Sequence, residues 1–508
     1  MKYLKNIRIA LAVLFFLPII LFFIDFTGKL PFQLHALLMV QWIPALLSLN
    51  LVIIGILLVL SILFGRIYCS TICPLGVFQD ITAWKSRLFR KKSKRFRFQY
   101  TKQKNILRYS LLALTFILFL FGSSSLLLLL DPYSTFGRII SQLFRPLFIW
   151  GNNGLATVMN SMGNYSVYRV DQISFVPLAF AITLVFFVLV VVMSWFRGRL
   201  YCNTICPVGS FLGLLSKISI FKINIKQSSC TQCGLCERSC KSQCIDIAAM
   251  TVDDSRCVSC FNCISVCKKG GIQYDFRYEK EKSIHAPANK SRRTFLMTSG
   301  AVLTTLATTK ANSFTGKKDA ILNRNPIMPP GAGNIERFKT KCTACQLCVT
   351  KCPMGVIKPA SLQYGISGIM QPHLTFSTEI FCTFECNICT TVCPTGALTT
   401  LAMKDKKLAQ IGIAKFRKDL CVVYTDETDC GACSEHCPTQ AVHMIPYKNG
   451  LTIPQVTEDI CIGCGGCESI CPVRPYQAIY VEGTSTQIAA RKPKEAKKFN
   501  KVIDSFGF

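Results

Sequence analysis

Up to about residue 200 the chain alternates long apolar stretches with short basic connections, and then it changes to short loops separated by brief strand-like runs. Four apolar stretches, Ile9–Ile24, Ile43–Phe64, Tyr109–Leu130 and Phe175–Phe196, predict helices. Crossing the hydrocarbon of a bilayer takes about 20 mainly apolar residues. The last three reach that length, whereas the first is short, contains Pro18 and must borrow from its flanks. The second and fourth hold no charge over 22 residues, which counts against a helix buried in a soluble core.

The connections between these stretches set an orientation, because lysine and arginine accumulate on the cytoplasmic side. Lys85 to Arg108 contains eleven basic residues and no acid. Lys2, Lys5 and Arg8 precede the first stretch, and Arg197, Arg199, Lys217, Lys222 and Lys226 follow the fourth. The opposite connections are poorer, with one lysine in Asp25–Trp42 and three arginines against two aspartates in Asp131–Ser174. Both ends of a four-helix unit are therefore expected in the cytoplasm.

That unit is duplicated. Gly65-Arg66-Ile67-Tyr68-Cys69-Ser70-Thr71-Ile72-Cys73-Pro74-Leu75-Gly76 follows the second stretch, and Gly198-Arg199-Leu200-Tyr201-Cys202-Asn203-Thr204-Ile205-Cys206-Pro207-Val208-Gly209 follows the fourth. Both cysteine pairs are offset by 133 residues. Duplication places the two Cys-x3-Cys-Pro turns on one membrane face, as the charge pattern also requires.

Cysteine changes the picture most, with 29 in the 508 residues, none before Cys69 and most in tight groups after Cys230. Disulfide scaffolds are short secreted chains, so grouped cysteines in a long chain point to metal. The spacing Cys-x2-Cys-x2-Cys-x3-Cys suits [4Fe–4S] clusters: three thiolates wrap one cubane, and the fourth ligates the cluster of the partner run. Cys230, Cys233, Cys236 and Cys267 are assigned to a first cluster, and Cys257, Cys260, Cys263 and Cys240 to a second. Cys342, Cys345, Cys348 and Cys393 form a third set, and Cys382, Cys386, Cys389 and Cys352 a fourth. Cys421, Cys430, Cys433 and Cys471 form a fifth, and Cys461, Cys464, Cys467 and Cys437 a sixth. The gaps Cys382–Cys386 and Cys421–Cys430 lengthen one loop each and keep the rest of the run. Zinc, which favours two separated cysteine pairs, is the competing metal.

Five cysteines stand outside these sets. Cys244 is a spare thiol or a substitute for Cys240. Cys69, Cys73, Cys202 and Cys206 are candidates for a seventh metal centre, and equally for disulfides, exchangeable thiols or inert positions. No residue constellation supports a self-contained catalytic site, and the five histidines lack ligand spacing. The formal charge of +31 falls by about 12 once six clusters are counted, and the remaining excess lies beside the apolar stretches. Lipid headgroups explain it better than nucleic acid does.

The pattern divides the chain into a four-helix membrane domain (1–226), a cytoplasmic two-cluster ferredoxin (227–282), a linker (283–334), a four-cluster domain (335–483) and a basic tail (484–508). The linker contains Ser291-Arg292-Arg293-Thr294-Phe295-Leu296, which opens a modest apolar stretch, Thr294–Thr308. Twin arginines before a weakly apolar segment mark export of folded, cofactor-loaded proteins. Residues after about 312 are then expected in the periplasm, with a fifth helix crossing or anchoring. A basic linker before a buried helix is the competing reading, with all six clusters then cytoplasmic.

At these motifs residues 1–280 resemble the NapH membrane polyferredoxins of periplasmic nitrate reductase systems. Residues from about 285 to 482 resemble their exported NapG partners. The resemblance implies a helical membrane domain with α+β two-cluster ferredoxin modules in a bacterial inner membrane. It also implies a quinol dehydrogenase-like electron-transfer subunit, taking electrons from quinol and delivering them to a terminal reductase or redox carrier. The connection Asp131–Ser174, with Arg138, Arg145 and Trp150, is a quinol-site candidate, and an ordinary interfacial helix is its competing reading. The alternative function is a redox assembly or regulatory factor for a metalloenzyme that uses the membrane-edge cysteines.

Overall fold

The computed structural model describes residues 3–28, 30–89, 98–170, 175–276 and 325–492. The twin-arginine motif, the apolar stretch Thr294–Thr308 and most of the basic tail lie outside the described residues.

The first apolar stretch is longer than its hydropathy suggests. It forms one helix, α1 (Tyr3–Ile24), with Pro18 inside. The second breaks in two, α2 (Trp42–Leu47) and α3 (Leu51–Phe64). Leu49 takes a left-handed φ of 56° between them, and the Asn50 side chain caps α3 by accepting from the Ile53 N–H. Two short turns of helix follow, α4 (Tyr68–Thr71) and, after Cys73-Pro74, the longer α5 (Pro74–Leu88). Proline at the first helical position costs no intrahelical bond, so each Cys-Pro pair starts a helix.

The third stretch also breaks, into α6 (Asn105–Leu120) and α7 (Ser125–Leu130), around a turn at Gly122. The expected outward connection then proves to be largely helical and half buried. It contains α8 (Pro132–Ile139), a π-helical segment Ile140–Phe144 and α9 (Arg145–Ser161). The fourth stretch is α10 (Pro177–Arg197), followed by α11 (Leu200–Thr204) and α12 (Pro207–Ser216), which repeat α4 and α5.

Four uninterrupted spanning helices are thus a correction to make: among the described residues only α1 and α10 are long and apolar enough to cross a membrane. Most of both faces outward, as do Val52 and Ile56 of α3 and Phe116 of α6.

The ferredoxin part contains three modules. Module A runs from β1 (Phe221–Ile225) through the hairpin β2 (Ile245–Asp246) and β3 (Thr251–Val252) to β4 (Ile272–Phe276). β1 pairs antiparallel with β4, from Phe221 opposite Phe276 to Ile225 opposite Ile272. Module B is built on the hairpin β5 (Ile357–Pro359) and β6 (Pro372–Leu374). Residues 325–334, read from the sequence as the end of a linker, pack into it: Met328 is buried and Ile327 bridges to Leu374. Module C repeats the plan of A. Its outer pair is β7 (Ala409–Phe416) with β10 (Ile479–Ala489), and its central hairpin is β8 (Val442–Pro446) with β9 (Thr452–Val456). One apolar core, from Ile327 to Val481, joins B and C.

Modules A and B dock at opposite ends of α1, whose 22 residues extend about 33 Å. At its N-terminal end Arg8 reaches Asp80, which also bonds Lys241 of module A. At its C-terminal end Asp25 pairs with Lys351 of module B at 2.6 Å.

Candidate metal centres

Each ferredoxin cysteine run carries its third cysteine on a short turn of helix. The helices are Leu235–Ser239, Asn262–Val266, Leu347–Lys351, Ile388–Thr391, Ala432–Glu435 and Gly466–Ile470. Cys240, Cys267 and Cys352 follow their helices in extended conformation.

The structure brings cysteines together across runs. Cys382, Cys386 and Cys389 line a cavity together with Cys352. Cys421, Cys430 and Cys433 line another together with Cys471. In module B, Cys348 lies within electrostatic reach of Cys345, Cys342 and Cys393. In module C, Cys467 is placed likewise with Cys464, Cys461 and Cys437, and in module A so is Cys263 with Cys260, Cys257 and Cys240. Cys236 neighbours Cys230 and Cys233, and Cys267 packs against the same core. The eight-residue gap between Cys421 and Cys430 begins with one helical turn, Val422–Thr425.

Burial pushes the Cys345, Cys433 and Cys464 thiols up to about 12. Thiolates gathered this closely, away from water, need a cationic core among them, so loading the cradles releases protons. The residues therefore fit the cubane-type group that their spacing implies. Among the described residues no three Cys, His, Asp or Glu side chains converge closely enough to grip a single metal ion.

Cys244 sits 3.5 Å from Cys240, sulfur to sulfur, and the hydrogen bond between them holds the Cys240 thiol below its ordinary value. Cys244 belongs to no run, and this position beside Cys240 is compatible with either reading of it, a spare thiol or a substitute for Cys240.

The two Cys-x3-Cys-Pro turns meet at the module A end of the helical unit. Cys69, Cys73, Cys202 and Cys206 are each 2–3% exposed, and all four are free thiols. Around them lie side chains that cysteine spacing alone did not single out. Arg199 bonds Asp80 at 2.7 Å and the Cys69 carbonyl at 2.6 Å. Arg66 bonds Asn203 Oδ1 at 2.7 Å and the Cys202 carbonyl at 3.0 Å. The signal was present, since both arginines stand at equivalent places in the duplicated motif.

The quinol-site candidates are not brought into one pocket. Arg138 donates to the Leu128 and Leu129 carbonyls, Arg145 donates to the Thr350 carbonyl, and Trp150 is exposed. Instead this region holds module B: Ser141 and Gln142 both donate to Gln346 Oε1 at 2.7 Å. His35 adds a ring contact of 3.0 Å to the Val392 carbonyl, beside Cys393.

Several family models match the chain. Residues 48–95 and 180–226 each match a family described as a 4Fe-4S binding domain. Families described as 4Fe-4S dicluster domains match residues 341–398, 428–474 and 253–356. The ferredoxin-type protein NapF of Escherichia coli is 31% identical over 157 residues, 31% of this chain and 87% of NapF. The methylamine utilization ferredoxin-type protein MauM of Methylophilus methylotrophus is 32% identical over 172 residues, 30% of this chain and 71% of MauM. MJ0749 of Methanocaldococcus jannaschii is 40% identical over 86 residues, so the chain spans about a third of its length (34%). No solved structure matches the chain. With its cysteine cradles and these relatives, the chain belongs to the ferredoxin-type iron–sulfur electron-transfer proteins.

Proposed function

We propose that the chain conducts electrons through a bilayer, from quinol to a partner reductase, over six [4Fe–4S] clusters held by the cysteine sets named above. The observation that carries this reading is the docking of ferredoxin modules at both ends of α1, over a distance of about 33 Å that matches a bilayer's hydrocarbon thickness. Module A lies on the basic side: the Tyr100 N–H donates to Glu237, and Arg256 donates to the Thr101 carbonyl, both within or beside the lysine- and arginine-rich connection. By the charge rule that side is cytoplasmic, which puts modules B and C in the periplasm, as the twin-arginine motif independently suggests. The outward apolar side chains of α1, α3, α6 and α10 suit lipid.

When bound, a [4Fe–4S] cluster supplies a one-electron couple whose potential depends on burial and on hydrogen bonds to sulfur. The protein's part is to hold the thiolates, keep water out and give N–H donors to sulfur. The Ala414 N–H, for instance, donates to Cys461 Sγ at 3.4 Å, and the Leu398 N–H to Cys393 Sγ at 3.4 Å. A role in metalloenzyme assembly through exchangeable membrane-edge thiols fits less well, because those four sulfurs are sealed from solvent and reactive cysteines are accessible ones.

The test is anaerobic reduction of the reconstituted chain in liposomes by a menaquinol or ubiquinol analogue, followed by the iron–sulfur absorbance. Bleaching by quinol, with electrons delivered to an acceptor outside the liposome only, is the expected result. Clusters that dithionite reduces but no quinol reduces, at potentials where quinol should, would overturn the quinol assignment.

A further inference from the structure

At the module A end a groove opens where the basic connection, the end of α10, α11 and module A meet. Lys102 and Lys104 of the connection, Arg197 at the last turn of α10, Thr204 of α11, and Ser242 and Arg256 of module A line it. Four of these six are cations, and no carboxylate lines the groove among the described residues.

Lys102, Lys104 and Arg197 are exposed, and by themselves they would describe an ordinary solvated face. The inner wall is different. Arg256 and Ser242 are each only 5% exposed. The Arg256 guanidinium is fixed in place: Nε donates to Asp253, Nη1 donates to the Thr101 carbonyl at 2.7 Å, and the Tyr100 ring centre lies 5.4 Å away. Its Nη2 is nevertheless buried with no acceptor among the described residues, and the buried Ser242 Oγ likewise has no partner. Buried donors normally find an acceptor, because leaving one unmade is costly. Asp253 is engaged by Arg256, Ser255 and Gln103, and it forms no ion pair with Lys102, Lys104 or Arg197.

A ligand that completes this wall must accept from a guanidinium and a hydroxyl, and it must carry negative charge toward three further cations. A phosphate ester meets all three requirements, since its oxygens match the guanidinium fork and remain ionised. The surroundings say which ester. Ile106 and Leu107, just after Lys104, are exposed, and so is Phe196, just before Arg197. The cations therefore stand where the apolar outer surfaces of α6 and α10 end, and α6 packs against α11 beside them. Basic pockets at that level of a membrane helix recognise phosphate headgroups.

We propose that this groove binds one anionic phospholipid by its headgroup phosphate, with Arg256 and Ser242 as buried donors and Lys102, Lys104 and Arg197 around them. The choice of a lipid rests on the conduction reading, which places this end at the membrane surface, while recognition of phosphate does not. The bound headgroup ties the basic connection and α10 to module A, so it braces that joint. General attraction of a basic face to an anionic leaflet is spread over every exposed lysine; this site is confined to the groove.

The experiment titrates phosphatidylglycerol, phosphatidylcholine or inorganic phosphate into the full chain, purified free of lipid in a neutral detergent, and follows hydrogen exchange. Phosphatidylglycerol should slow exchange at residues 101–104 and 242–243, phosphatidylcholine should not, and inorganic phosphate should act only at far higher concentration. Arg256→Gln should abolish the protection, but it also loses the Thr101 and Asp253 contacts, so two milder variants carry the test. Lys104→Ser and Ser242→Ala should each weaken phosphatidylglycerol about fivefold. Lys85→Ser, in the same basic connection but outside the groove, should leave its affinity unchanged. Equal protection by the two lipids, or a Lys85→Ser loss as large as that of Lys104→Ser, overturns the site. Protection by inorganic phosphate with none by either lipid overturns the headgroup in favour of a soluble phosphate. Quinol reduction in liposomes without a phosphatidylglycerol response would remove this site and keep the conduction reading. The opposite pair of results would keep the site and remove that reading.

Discussion

The two ends of the helical unit hold their ferredoxin modules by different chemistry. At the module A end the contact is ionic and buried: Asp80 gathers Arg8, Arg199 and Lys241, and the Arg199 N–H donates to the Lys241 carbonyl at 2.9 Å. At the module B end it is spread over many hydrogen bonds, made by amides, hydroxyls, a histidine and the Arg145 guanidinium, with the Asp25–Lys351 pair as its one ion pair among the described residues. Such a joint is held by hydrogen bonds worth about 1 kcal/mol each. The ionic joint depends on a single carboxylate, so its failure should be abrupt. The positive end is also the one that faces the membrane-edge sulfurs of Cys69 and Cys202.

Asp80→Asn is the most damaging way to break this contrast. It leaves three buried cations without a carboxylate, and breaking one buried pair typically costs about 3–5 kcal/mol. Hydrogen exchange should show amides of residues 230–267 opening in this variant, with those of 342–393 unchanged. Equal protection at both ends would mean that the ionic joint does not govern docking.

At the other end Gln346→Leu removes the acceptor shared by Ser141 and Gln142. Ser141 keeps the Arg138 carbonyl at 3.2 Å, so one buried donor, Gln142 Nε2, is stranded, at about 1–3 kcal/mol. Exchange should rise across Leu347–Lys351 and the π-helical segment, and module A should not respond. A melting temperature as low as that of Asp80→Asn would erase the distinction between the joints.

How far the sequence foretells this molecule depends on whether a feature is local. The cysteine runs are local, and Cys352 and Cys471 each lie in a cavity lined by cysteines of the neighbouring run. The duplication was equally plain in the two twelve-residue motifs. Helix continuity was not. Leu49 and Gly122 interrupt stretches that hydropathy averages over, and a window of apolar residues cannot register one left-handed φ. The segment after Asp131 looked like an interfacial connection because its polar residues, Ser141, Gln142 and Arg145, have partners some 205 positions away. Arg66 and Arg199 were on view in the repeat, but their acceptors lie in the opposite half, so their purpose needed the fold.

Acid offers a gentler comparison of the two joints in one unmodified protein. For both carboxylates burial acts upward on the pKa, and the partners outweigh it. The Lys351 ammonium and the Thr27 donors lower Asp25 below the usual carboxylate value, while Arg199, Lys241 and Arg8 hold Asp80 much lower still. A carboxylate depressed in the folded state contributes its stability above the unfolded pKa of about 3.9, and that stability is lost as pH falls through the folded value. Below the unfolded value both contributions start to fall, but Asp25, the less depressed of the two, is protonated in the folded protein first, while Asp80 keeps its charge into stronger acid. Below about pH 4 the module B joint should therefore open before the module A joint, each unit of pKa shift being worth about 1.4 kcal/mol. Exchange measured at Leu347–Lys351 and at 240–244 across that range would show the order, and simultaneous opening would mean that a group other than these two carboxylates controls both ends.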